Sequence, residues 1–108
     1  MQISNASKQA KNQRSARKRR ELGLDDFLLA FSALPTGTHR ATFDGKSYVF
    51  SKSKFNAGKS WKLVAEELGG TDYISMNLYD LASGPRLYPC EMSVEKVIAF
   101  VCGMAVAP

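Results

Sequence analysis

The residue types of this sequence point first to the binding of phosphate groups by arginine. Residues 1–20 contain seven basic side chains and no acidic one. The planar guanidinium of arginine can donate two parallel hydrogen bonds to a phosphate, and each neutralised phosphate releases condensed counterions. We therefore expect the N-terminal arm to contact nucleic acid through Lys11, Arg14, Arg17, Lys18, Arg19 and Arg20.

A second basic segment, residues 40–62, places cations between aromatic rings. Proteins that bind single strands combine cations that follow the backbone with rings on which bases stack. Tyr48 and Phe50 alternate as in a core strand, whereas Phe55 and Trp61 lie close to turns, where rings are more often exposed. The candidate contacts in this segment are Lys46, Lys52, Lys54, Lys59, Lys62 and Trp61.

The residues that catalysis or metal binding would need are scarce. His39 is the only histidine, and Cys90 and Cys102 lack the close spacing of zinc ligands. The triplet Gly58-Lys59-Ser60 resembles the end of a phosphate-binding loop, but Ser53 occupies the position of the first glycine of that motif. We expect no enzymatic activity, no metal ion and no other cofactor.

Two helices are expected to flank the segments that carry these residues. Apolar residues at helical spacing predict a helix over residues 24–34, with Asp25 as its N-cap. Pro35 ends this pattern. Ser93 is a favourable N-cap for a second, C-terminal helix, whose apolar stripe runs from Val94 to Met104.

Strand patterns fill the chain between the two helices. The dipeptide Asp44-Gly45 predicts a two-residue hairpin turn, which pairs Phe43 with Lys46. Residues 72–81 alternate as a strand, and residues 86–88 are a candidate edge strand. Residues 60–68 also suit a helix because of their Ala-Glu-Glu-Leu sequence. We prefer a strand there, since Trp61, Leu63 and Ala65 alternate.

The sequence therefore predicts a basic arm and one folded domain. Residues 1–21 lack apolar periodicity and are expected to be disordered in isolation. Residues 22–108 are expected to form a single α+β domain, an antiparallel meander of about four strands with a short N-terminal and a C-terminal helix. Both helices should cover one face of the sheet, which leaves the other face available.

Composition also bears on the compartment. The N-terminal residues lack an apolar stretch of signal-peptide length, and no segment approaches the ~18 apolar residues of a membrane span. Cys102 lies in an apolar helical pattern, which favours two reduced thiols over a disulfide. We expect a cytoplasmic protein without membrane contact, of bacterial or phage type.

The layout of a basic tail, an antiparallel meander and a C-terminal helix over residues 38–104 resembles single-stranded-DNA-binding coactivator and whirly-type domains. The resemblance implies pairing through the helix, hence a homodimer, and strands bound across a curved sheet. The helix at residues 25–34 departs from that layout. A double-stranded-RNA-binding layout fits less well, because the start of the last helix, Ser93 to Lys96, lacks a lysine cluster.

The leading hypothesis is a small nucleic-acid-binding protein, with DNA favoured over RNA and a preference for single strands. The competing hypothesis is an interaction module, such as an inhibitor or adaptor of phage or mobile-element type. In that case the arm would bind an acidic protein or nucleoprotein surface, and Tyr73 and Tyr79 would contact the partner.

Overall fold

The computed structural model describes residues 22–108, and the predicted basic arm lies outside them. Helix α1 spans Leu24–Ala33 and helix α2 spans Val94–Gly103. A short 3-10 turn, Asn56–Gly58, follows the second strand. The strands are β1 (Gly37–Phe43), β2 (Lys46–Phe55), β3 (Ser60–Glu67), β4 (Tyr73–Leu81), β5 (Gly84–Pro89) and β6 (Ala105–Val106).

All six described strands form one antiparallel sheet in the order β5-β4-β3-β2-β1-β6. The α+β class and the antiparallel meander are thus confirmed, and the segment at residues 60–67 is a strand. The expected count of about four strands is too low. Strand β5 extends the candidate edge strand, and β6 has only two residues, too few for any alternation to indicate it.

The first hairpin forms as its turn residues predict. Asp44 and Gly45 have φ values of 53° and 74°, and Phe43 lies opposite Lys46. Positive φ at both central positions matches the twist of the turn to that of the two strands. This register decides which alternate side chains of β1 and β2 face the helices.

The helix ends differ in how well their caps were predicted. Ser93 caps α2, because its hydroxyl oxygen accepts a hydrogen bond from the Lys96 amide at 3.1 Å. The prediction of Asp25 as N-cap of α1 is wrong, since Gly23 takes that position and Asp25 lies in the first turn. The carboxylate of Asp26 accepts a hydrogen bond from the Gly23 amide at 2.9 Å.

The core lies between the two helices and one face of the sheet. Phe27 and Phe31 of α1 and Phe100 of α2 are buried there. Each ring contributes a large apolar area, and edge-to-face contacts such as that between Phe100 and Tyr48, at 4.9 Å between centroids, order the packing. The sheet supplies the opposite wall through Ala41, Tyr48, Phe50, Leu63, Ala65, Ile74, Met76 and Leu78.

A polar network at one border of this core joins β2, the start of β4 and α2. Asp72 accepts hydrogen bonds from the Tyr48 hydroxyl and from the Lys96 ammonium, both at 2.7 Å. The two hydrogen bonds, first that from Lys96, lower the pKa of Asp72. Burial, together with the hydrogen bond to Asp72, raises the pKa of Tyr48 to about 12.

Replacing the shared carboxylate, Asp72→Asn, should lower the free energy of unfolding at neutral pH and weaken its dependence on acid pH. The pKa of Asp72 is lower in the folded than in the unfolded protein. Its stabilisation is therefore present above the unfolded pKa and lost as the pH falls through the folded pKa. Urea unfolding followed by circular dichroism across the acid range measures this profile.

Asp80→Asn is the matched control, because Asp80 is exposed and forms no ion pair within residues 22–108. It should change the profile less than Asp72→Asn does. Equal profiles for the two variants would contradict a stabilising role for the Asp72 network.

Candidate nucleic-acid interface

The sheet face opposite the helices, called the open face here, is built by the alternate residues of each strand that point away from the core. The strand register places Arg86, Tyr79, Ser60 and Phe55 in one row across β5 to β2. The next row holds Tyr88, Asn77, Lys62 and Ser53. No helix of the described chain covers these rows, since the buried residues of both helices belong to the core on the other side.

One end of the open face combines exposed rings with cations, and we call it the aromatic end. The rings of Tyr79 and Tyr88 lie 5.5 Å apart, edge to face. Their exposed fractions are 36% and 51%. Rings that remain this exposed are available to stack with a planar ligand. The aromatic end consists of Phe55, Lys62, Tyr79, Arg86 and Tyr88.

The other end of the open face is acidic. Tyr73 lies opposite Glu66 in the β3–β4 ladder, and its hydroxyl lies 3.5 Å from a carboxylate oxygen of Glu91. Negative charges beside a ring repel phosphate groups. Arg40, in the same row as Glu66, and Lys96, whose ammonium lies 5.9 Å from the centroid of the Tyr73 ring, offset these carboxylates in part. The aromatic end therefore has the more positive charge of the two ends and is the more favourable one for a polyanion.

The predicted lysines do not form one continuous surface. Lys62 lies on the open face, opposite Asn77 and Ser53. Lys59 is exposed and directly follows the 3-10 turn, at the same end of the sheet. Lys46 and Lys54 are exposed, but the alternation of β2 places them on the helix side of the sheet, the same side as the core residues Tyr48 and Phe50.

Lys52 is a core residue instead of a surface contact. Its exposed fraction is 4%, and its ammonium donates hydrogen bonds to the carbonyls of Phe31 at 2.6 Å and Leu34 at 2.9 Å. These carbonyls belong to the last turn and the C-cap of α1, and the helix dipole favours a cation at this end. The ammonium also lies over the rings of Phe31 and Trp61, at 4.4 and 5.0 Å from their centroids. Burial lowers the pKa of Lys52.

Trp61 is half-buried, in contrast to the exposed stacking ring that its place near a turn suggested. It packs edge to face against Phe31, with 6.0 Å between centroids. The alternation of β3 explains this position, because it places Trp61 on the same face of the sheet as the buried Leu63 and Ala65. Phe55 lies on the open face, opposite to the face of β2 that carries the core residues, and it is 49% exposed.

Tyr88, which shares the aromatic end with Tyr79, is not among the binding residues predicted from the sequence. The signal was present but short, because Arg86-Leu87-Tyr88 alternates between two prolines. Leu87 lies opposite Leu78, which faces the core, so its neighbours Arg86 and Tyr88 face the other way. The arm residues Lys11, Arg14, Arg17, Lys18, Arg19 and Arg20 lie outside the described residues.

No family model, no curated protein and no solved structure matches this chain. Within residues 22–108, the side chains of His, Cys, Asp and Glu form no group of three or more that could hold a metal ion. Neither of the two described helices is long and apolar enough to cross a membrane.

Replacing the buried lysine, Lys52→Ala, should destabilise the fold by about 2 kcal/mol, as expected for the loss of hydrogen bonds from a charged donor. The neighbouring variant Lys54→Ala is the control, because Lys54 is exposed. Unfolding in guanidinium chloride measures the free energy of unfolding of both variants. Equal stability of the two variants would contradict the role of Lys52 in holding the end of α1.

Proposed function

We propose that this protein binds single-stranded nucleic acid, with DNA as the first candidate, on the aromatic end of its open face. The observation that carries the proposal is the pairing of exposed Tyr79 and Tyr88 rings with Lys62 and Arg86 in two adjacent rows. Stacking of a base on an aromatic ring contributes about 1–3 kcal/mol in proteins that bind single strands.

The choice of a single strand follows from how the rings are presented. Tyr79, Tyr88 and Phe55 project from a sheet, and a base can stack on such a ring only when its own face is free. In a duplex the base faces are covered by neighbouring bases. Lys62 and Arg86 lie in the same two rows and supply positive charge for the phosphates between successive bases.

The basic arm adds affinity that does not depend on base sequence. Its seven positive charges and absence of acids favour contacts to any phosphate backbone. The arm precedes α1 and is tethered to the domain, so an oligonucleotide held by the sheet is exposed to a high local concentration of arginine. We assign nonspecific affinity to the arm and strand preference to the open face.

A protein-interaction module remains the alternative, and the same surface supports it. Exposed Tyr and Arg are the residue types that most often dominate protein interfaces. Binding through aromatic anchors would depend weakly on salt, whereas phosphate binding weakens steeply with salt. Salt dependence and ligand class therefore separate the two functions.

The paired substitution Tyr79→Ala with Tyr88→Ala should weaken binding to oligo(dT) by at least tenfold, because two stacking rings are lost. Fluorescence anisotropy with a labelled oligonucleotide measures the affinity. The matched control is Tyr73→Ala, which removes an exposed ring at the acidic end and should have little effect. Equal losses in the two variants, or no binding by the unmodified chain at low salt, would overturn the proposal.

Deleting residues 1–21 should leave the domain folded, since the core is built by residues 22–108. The deletion should lower affinity for single and double strands alike and reduce the slope of log affinity against log salt. Anisotropy titrations at two salt concentrations, with circular dichroism as the folding control, test both parts. An unchanged salt slope would contradict a phosphate-binding arm.

A further inference from the structure

A cavity of about 460 Å³ opens between the C-terminal half of α1 and the sheet, on the helix side. This volume falls within the range of about 300–1,000 Å³ that is typical of small-molecule sites. Phe31, Trp61, Leu78 and Pro85 supply apolar and aromatic walls. Such walls suit a flat, aromatic occupant.

Two charged side chains of opposite sign line the same cavity. Lys52 is buried, and within residues 22–108 its ammonium has acceptors for two of its three N–H groups. Asp80 is exposed and forms no ion pair among those residues. The cavity is therefore lined by an ammonium that lies over two rings and has no acceptor for its third N–H among these residues, and by a carboxylate without an ion-pair partner among them. This combination disfavours a simple anion and favours a ligand with both acceptors and donors.

A second concavity, the rim groove, lies next to this cavity and shares two lining residues with it, one of which belongs to the aromatic end of the open face. The rim groove has a volume of about 630 Å³ and is lined by Asn56, Lys59, Ser60, Tyr79, Asp80, Leu81 and Ala82. Tyr79 and Asp80 line both concavities. A strand stacked on Tyr79 could thus pass over the end of the sheet, with Lys59 beside its phosphates.

From this arrangement we propose that the cavity receives one guanine base of the bound strand. The inference rests on the proposed function, because the strand delivers the base through the rim groove. Guanine presents O6 and N7 as neighbouring acceptors, which lysine recognises, and it carries N1–H and N2–H₂ as neighbouring donors. A carboxylate can accept from both of these donors, so Lys52 and Asp80 together match guanine.

The other bases match this pair of side chains less well. Adenine and cytosine each present a single amino group to a carboxylate, and thymine presents a single ring N–H. Each of them therefore makes fewer hydrogen bonds with the Asp80 carboxylate and the Lys52 ammonium together than guanine does. The cavity is therefore selective for guanine as well as large enough for a base.

The test compares oligo(dT) with the same oligonucleotide carrying one central dG, dA or dC, by fluorescence anisotropy. The dG oligonucleotide should bind about tenfold more tightly than oligo(dT), as expected for one good base contact. The dA and dC oligonucleotides should bind like oligo(dT). Equal affinities for all four would overturn the guanine site while leaving the proposed single-strand binding intact.

Two variants locate the preference in the cavity. Asp80→Asn removes the carboxylate, and Ser32→Leu adds volume to a lining residue on α1. Both should bring the ratio of dG to dT affinity close to one. Leu29→Ala is the control on the same helix, because Leu29 is exposed and does not line the cavity. A preference that persists in both cavity variants would place guanine recognition elsewhere and overturn the inference.

A titration with guanosine monophosphate separates failure of the cavity from failure of the proposed function. Amide signals of Phe31, Ser32 and Asp80 should shift in two-dimensional NMR spectra, and adenosine monophosphate should shift them less. If no oligonucleotide binds, the proposed function and the delivery of the base by a strand are both overturned, whereas these shifts still decide whether the cavity binds guanine. Absence of the shifts would overturn it.

Discussion

Both described helices lie on one face of a six-stranded antiparallel sheet. Because only one face is covered, the side chains along each strand alternate between the core and the open face. Side chains that the helices cover are removed from water, and their polar groups need hydrogen-bond partners within the protein. Most residues that face away remain at least partly accessible, although Ser60 in the row of Tyr79 is buried. Tyr79 and Tyr88 are therefore exposed because no element packs over them, while Tyr48, on the opposite face, is a core residue.

The same constraint gives Lys52 a structural role. A lysine at a core-facing position of β2 can keep its charge only if its ammonium finds acceptors, and the last carbonyls of α1 supply them. Its aliphatic chain and the two rings beneath the ammonium fill space in the core. The contact fixes the end of α1 on the sheet and so shapes the cavity that α1 borders.

Charge is distributed along the sheet as well as across it. Lys62 and Arg86 lie at the aromatic end, whereas Glu66 and Glu91 surround Tyr73 at the other end. Under the proposed function, this gradient would orient a polyanion, because the acidic end repels phosphates that the aromatic end attracts. The ion pair of Lys96 with Asp72 neutralises one of the few cations near the acidic end.

Much of the fold could be predicted from sequence because its signals are local. The Asp44-Gly45 turn, the β1–β2 register and the Ser93 cap each depend on a few neighbouring residues whose backbone preferences are strong. Strand β6 could not be predicted in this way. Its two residues pair with β1 only because α2 returns the chain to that edge of the sheet.

The candidate site was less predictable, because proximity to a turn says little about exposure. Trp61 and Lys52 have the residue types of a binding surface, yet α1 covers both, and only its packing position decides this. Tyr88, in contrast, was not predicted as a contact, yet a short edge strand leaves it exposed beside Tyr79. The sequence by itself determined the alternation of the strands, the helix spacing and the charge of each segment, since these follow from residue type and local geometry. Tertiary structure alone decided which of the two faces α1 and α2 cover, because that depends on long-range packing between elements distant in the chain.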